Sequence, residues 1–199
     1  MQVLNRAALI FLSVIPMALF CICGGENAFY IAAAVAFHEL GHLAALKITH
    51  GKIKGFRAAP FGLCIDYDRS ELSLFGEALV SFGGCFFNIL CALLVGALYM
   101  FFSLDMVVFG LVSLLYATVN LLPLYPLDGY TLLNAILSAL FDPYTADRIS
   151  FFASYVIGFS SFLVASYLML TEVTGIYPLL FSAYIFSSNA KISRDCFEF

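Results

Sequence analysis

From Leu74 to Phe102 the chain runs 29 residues with one charged side chain, Glu77. A helix crossing the hydrocarbon core of a bilayer needs about 20 largely apolar residues, and this run exceeds that. Further segments of the same kind lie at 7–23, 28–48, 106–141, 149–170 and 175–188. Composition agrees: 63% of the residues are hydrophobic and 11% charged, whereas soluble domains average about 45–50% and about 25%. Mean hydropathy is +1.00. The sequence predicts an all-α polytopic membrane protein with about six transmembrane helices, forming a single domain over 1–199. Its core spans are 28–48, 74–102 and 106–141, and its peripheral spans 7–23, 149–170 and 175–188. No cleavable signal stands out. A net charge of −4 gives no reason to expect nucleic acid as a partner.

The cations orient this plan. Arg6, Lys47, Lys52, Lys54, Arg57, Arg69, Arg148, Lys191 and Arg194 all fall on one side of a six-span drawing. The opposite connections carry Glu26, Asp105 and Glu172. By the bias of Lys and Arg toward the cytoplasm, both termini and the loop after the second span are expected there.

The segment 106–141 is too long for one span, and Pro123 and Pro126 must interrupt it. Irregular backbone at membrane depth is tolerated only where protein or a wet cavity covers it. A buried polar site would account for the break.

A candidate site stands in the second span. Ala36–Leu46 reads AFHELGHLAAL, placing His38, Glu39 and His42 in an otherwise apolar run. A charged side chain at the centre of a span costs about 2.5–3.5 kcal/mol on insertion scales, so these groups need partners. On a helix, His38 and His42 share a face and could grip one metal, with Glu39 beside them as a general base. The bland alternative is three polar groups satisfied by neighbouring helices. A catalytic zinc usually takes three protein ligands and leaves one position for water. His50, beside Gly51, reads as a loop residue. Asp128 is the only acidic residue in 106–141 and is a candidate third ligand or, equally in kind, the N-cap of a helix over 129–140. The cysteines Cys21, Cys23, Cys64, Cys85, Cys91 and Cys196 lack zinc-finger spacing and read as small packing residues.

HELGH in one span, with Asn120-Leu-Leu-Pro-Leu-Tyr-Pro-Leu-Asp-Gly129 two spans later, resembles the site-2 protease family of intramembrane zinc metalloproteases. The layout is similar to the short bacterial branch typified by stage IV sporulation protein FB, over roughly residues 5–190. The resemblance implies one zinc ion per chain, held by His38, His42 and Asp128, with Glu39 as base. It further implies that Asn120 holds the substrate backbone or the oxyanion. Gly84-Cys-Phe-Phe-Asn88 is similar to the family's Gly-Pro-x-x-Asn element, with Cys85 in place of Pro. It makes Asn88 a hydrogen-bonding residue near the site, a role it shares with ordinary polar glue between helices. Tyr130 and Thr131 depart from the Gly and basic residue that relatives often carry after Asp-Gly. No appended nucleotide-binding or peptide-binding domain is expected.

The implied reaction is hydrolysis of a peptide bond near the cytoplasmic end of a membrane-tethered protein, in a bacterial cell membrane, open to control by a membrane inhibitor or regulator. The loop 52–68, KIKGFRAAPFGLCIDYD, reads as a hairpin or re-entrant β element whose edge could pair with an unwound substrate strand. Three rivals compete with this reading. A di-iron oxygenase would need many more histidines than three. The prenyl-protein proteases resemble a design with a glutamate as third ligand. An inactive zinc-holding scaffold or partner subunit would have no use for Glu39.

Overall fold

The computed structural model describes residues 28–59, 62–68, 71–103, 106–172 and 176–197. The expected first span, 7–23, lies outside them. Among the described residues, Phe29–Ile48, Leu74–Phe102 and Pro143–Leu170 are long and apolar enough to cross a membrane, and Val107–Asn120 is a shorter apolar helix. The described residues form two compact units dividing between Val119 and Asn120.

In the first unit, α1 (Ala28–Ile48) is followed by the strands β1 (Ile53–Ala59) and β2 (Gly62–Tyr67), then α2 (Leu74–Phe102) and α3 (Val107–Asn120). α1 ends in a tight left-handed turn at His50, with φ 56, and Gly51 N–H donates to Leu46 C=O at 2.9 Å. His50 is thus an exposed turn residue, as its place beside Gly51 predicts. β1 and β2 pair antiparallel, with a bulge between Ile53 and Gly55. The ion pairs Lys52–Glu71 (2.7 Å) and Lys54–Asp68 (2.8 Å) flank the open end of this hairpin. α2 begins at Ser73, whose hydroxyl accepts the Gly76 N–H at 3.1 Å, an N-cap that satisfies one orphan donor of the first turn.

α1 and α2 run antiparallel. Ala45 meets Val80, Gly41 meets Gly83, and Ala34 meets Val95. Lipid supplies no hydrophobic force between helices, so association rests on close packing of small residues. Gly83 shows how close this is: a Cβ there would lie 2.8 Å from the Gly41 carbonyl oxygen and 2.9 Å from Ala45 Cβ. Phe109 of α3 closes one layer against Ala34 and Val95. Ile65 and Tyr67 of β2 pack on the Ala45–Leu46–Val80 layer.

In the second unit, a loop over 121–127 leads to α4 (Asp128–Ser138), then α5 (Pro143–Leu170) and α6 (Tyr177–Phe197). The prolines break the segment 106–141 as expected, and the Tyr125–Pro126 bond is cis. The N-cap of α4 is Leu127, which makes no side-chain cap bond, and Asp128 is the first helical residue. α5 starts six residues before the expected 149, because Asp142 caps it. Its carboxylate accepts the Thr145 N–H at 2.9 Å, and Pro143 occupies the first turn, where its missing N–H costs nothing. That backbone bond holds the Asp142 carboxyl below the usual carboxylate range.

Substituting Gly83→Val should destabilise the protein by about 3 kcal/mol or more, since the added methyls meet backbone that cannot rotate aside. Thermal unfolding in detergent would show this as a large drop in melting temperature; an unchanged transition would rule out the close α1–α2 approach.

Candidate metal centre

The helical repeat puts His38 and His42 one turn apart on α1, and their rings meet edge to face with centroids 4.7 Å apart. The two Nε2 atoms converge to 3.1 Å. His42 Nδ1 lies 2.8 Å from the Val80 carbonyl oxygen of α2. A carbonyl only accepts, so Nδ1 carries the proton and the Nε2 lone pair faces His38.

His38 is buried, and its Nδ1 lies 3.4 Å from the amide of Asn88, which is fully buried on α2. As placed, the Asn88 NH2 faces the ring, and its buried Oδ1 has no hydrogen-bond partner. Amide oxygen and nitrogen are interchangeable by a half-turn of the side chain. With nitrogen toward the ring, Asn88 donates to Nδ1, and the His38 proton sits on Nε2, pointing at His42. With oxygen toward the ring, His38 Nδ1–H donates to Asn88, and a second Nε2 lone pair faces the first. Two lone pairs at 3.1 Å repel unless a cation lies between them.

The donor set fits such a cation. Imidazole nitrogens bind zinc at about 2.0–2.1 Å, so two ligands of a tetrahedral ion stand about 3.3 Å apart, close to the separation seen. Imidazole donors suit zinc, copper, iron and nickel alike. A carbonyl or amide acceptor on the far ring nitrogen is the usual outer support of a metal-binding histidine. Gly84 completes the cradle. A Cβ there would lie 2.6 Å from His42 Nε2 and 2.7 Å from His38 Nε2. Only glycine lets α2 run past the two rings.

Other groups join them in this unit. Tyr116 of α3 sets its ring edge-on to His38, centroids 5.0 Å apart. Cys85 is fully buried, its sulfur within 4.8 Å of a His38 ring nitrogen. Glu39 is half-buried on α1. His38, His42 and Asn88 are therefore brought together as the sequence suggests, whereas His50 is not part of the group. The Val80 carbonyl and Tyr116 are additions, and Gly84, which the sequence offers only as the first residue of the Gly84–Asn88 element, is the cradle.

Asn120 and Asp128 belong to the second unit. Asn120 is buried and Asp128 half-buried at the start of α4. The next residue, Gly129, has no room for a Cβ, because the Leu121 and Leu122 carbonyls lie against it. Tyr130 packs edge-on against Tyr125 at 5.5 Å.

No family model matches the sequence, and no curated protein matches it. Among solved structures it is similar to the site-2 protease from Methanocaldococcus jannaschii, at 22% identity and a TM-score of 0.66. The match covers 94% of this chain and 88% of that one. The chain has the site-2 protease fold. Within that fold the apolar helices make it a membrane protein, and the imidazole pair lies on the first described helix.

Substituting Gly84→Ala would push a methyl group between α2 and the imidazoles. Zinc affinity, measured by chelator competition in detergent, should fall about 10–100-fold. Gly96→Ala, whose added carbon meets nothing within 4 Å, should leave it unchanged; equal affinities for both variants would exclude this cradle as the metal site.

Proposed function

We propose that the chain is an intramembrane zinc metalloprotease of the site-2 protease family that cuts a membrane-tethered protein near its cytoplasmic end. The observation that carries this reading is the convergence of two imidazole Nε2 atoms to 3.1 Å, on an apolar helix of a site-2 protease fold. His38 and His42 hold one zinc ion, and Asp128 is its third ligand. In support, Asp128 opens α4 straight after the proline-broken loop without serving as the cap residue.

Bound there, zinc supplies Lewis acidity, which polarises a carbonyl and acidifies water. Glu39 takes a proton from the attacking water and returns it to the leaving amine, as general base and then general acid. Two neutral imidazoles and one carboxylate would offset part of a divalent ion's charge, so a filled site could lie below the membrane surface. Asn120 steadies the substrate backbone or the oxyanion. Among the described residues the β1–β2 sheet has two strands and leaves an edge on each, onto which an unwound substrate strand can add. The six-span topology with cytoplasmic termini belongs to the same proposal, as does control by a membrane inhibitor or regulator.

The rival is an inactive zinc-holding scaffold. Glu39→Gln should retain zinc while cleavage falls about 10²–10⁴-fold, read by comparing membrane-tethered proteins in cells carrying either form. Identical substrate profiles with zinc bound in both would favour the scaffold. Asp128→Asn should weaken zinc binding by at least about tenfold in the same chelator assay; full affinity would remove Asp128 from the ligand set.

A further inference from the structure

We infer that Ser154 and Asn189, on α5 and α6, are positioning residues that fix the loop and helix presenting Asp128. This rests on the reading of Asp128 as a metal ligand. The starting point is the backbone of the loop, which must satisfy its own N–H groups at membrane depth, each orphan costing several kcal/mol. Pro123 and Pro126 have none to satisfy. Leu124 N–H donates to the Leu122 carbonyl at 2.7 Å and Leu127 N–H to the Leu124 carbonyl at 2.6 Å. Tyr125 N–H alone of these leaves the loop, donating to the Ser154 hydroxyl at 2.8 Å.

The Ser154 hydroxyl has one proton, and it donates that proton to Asn189 Oδ1 at 2.6 Å. Asn189 Nδ2 donates in turn to the Ile185 carbonyl one turn back on α6, at 3.1 Å, which locks the amide with its oxygen toward α5. Ser154 and Asn189 are both fully buried. The chain of bonds has one direction and no vacancy: backbone N–H to hydroxyl to amide to carbonyl. Plain glue between two helices would join Ser154 to Asn189 and stop there. Here the bonded hydroxyl also carries the loop, three residues before Asp128.

A second anchor lies on the other side of Asp128. Asn134 of α4 donates to Asp147 Oδ1 at 2.7 Å and to the Ser150 hydroxyl at 3.4 Å. Asp147, Ser150, Ser154 and Gly158 follow at helical spacing along one face of α5. The segment 125–134 is therefore pinned to one polar stripe at two points separated by about 10 Å of helix rise. Gly158 lies beside Asn189, whose Nδ2 would make ordinary contact, at 3.4 Å, with a Cβ placed there. Removing the Ser154 hydroxyl leaves Tyr125 N–H and Asn189 Oδ1 without these partners, and the carboxylate three residues on loses its fixed reach.

The test measures zinc affinity of the full chain in detergent by chelator competition, alongside the melting temperature of the metal-free protein. Ser154→Ala and Asn189→Ala should each weaken zinc binding about 10–100-fold, whereas Ser154→Thr, which keeps the hydroxyl, should recover most of it. Ser166→Ala, which removes a hydroxyl bonded only within α5 to the Phe162 carbonyl, should leave affinity unchanged. In an Asp128→Asn background, Ser154→Ala should have no further effect. If Ser154→Ala and Asn189→Ala lower the melting temperature but not zinc affinity, while Asp128→Asn does lower affinity, the positioning role is overturned and the metal reading stands. If Asp128→Asn keeps full affinity, the metal reading of Asp128 fails and this role with it. Should both alanine variants fail to fold, amide exchange of the wild-type protein decides. Zinc should slow exchange in the 121–127 loop and around Asn189 together, and slowing in the loop alone overturns the link.

Discussion

Two imidazole nitrogens 3.1 Å apart in an apolar helix pair set conditions that much of the first unit meets. Both rings need a partner on the far nitrogen, and both partners, the Val80 carbonyl and the Asn88 amide, come from α2. α2 can supply them only if it lies almost against α1, so glycines occur at 41, 83 and 84 where the backbones cross. Helix packing and site geometry are here one constraint. A bulkier residue at Gly84 would keep the helices as helices and still abolish the approach of the rings.

The second unit solves a different problem. Prolines free the chain between Leu121 and Leu127 from helical geometry but leave backbone donors that lipid cannot satisfy. Two are returned inside the loop, and one is exported to Ser154. The polar stripe on α5 thus reads as the cost of keeping an irregular segment at depth. Its members are small or short, Ser150, Ser154 and Gly158, because α6 and the loop must both come close to that face.

Legibility in the sequence followed from which constraints are local. The HELGH pair was readable because a four-residue spacing determines a shared helix face whatever surrounds it. The broken fourth segment was readable from Pro123 and Pro126, and the hairpin from glycines spaced along a strand-like loop. The start of α5 was missed by six residues, although Asp142-Pro143 is a local cap signature. Hydropathy alone placed that boundary, and the helix extends past its apolar part. Asp128 was open between ligand and cap, and backbone geometry gives the cap position to Leu127. The Val80 carbonyl was out of reach because a backbone atom has no residue signature. Ser154 and Asn189 carry no local signature, since Ser154 accepts from a loop amide 29 residues away and Asn189 from the Ser154 hydroxyl 35 residues away.

Glu39 weighs between an enzyme and a holding site. The imidazoles can be neutral and hydrogen-bonded, so a scaffold could keep them at modest cost. A carboxylate on the same apolar helix is a different matter, with a penalty of about 2.5–3.5 kcal/mol at span centre. A closed structural site fills its fourth position with protein and uses no base, and alanine or leucine at position 39 would favour the helix. On the proposed reading, zinc binding would account for His38 and His42 but not for Glu39. Proton transfer during hydrolysis would account for it, so on that reading the glutamate, more than the histidines, separates a protease from a container.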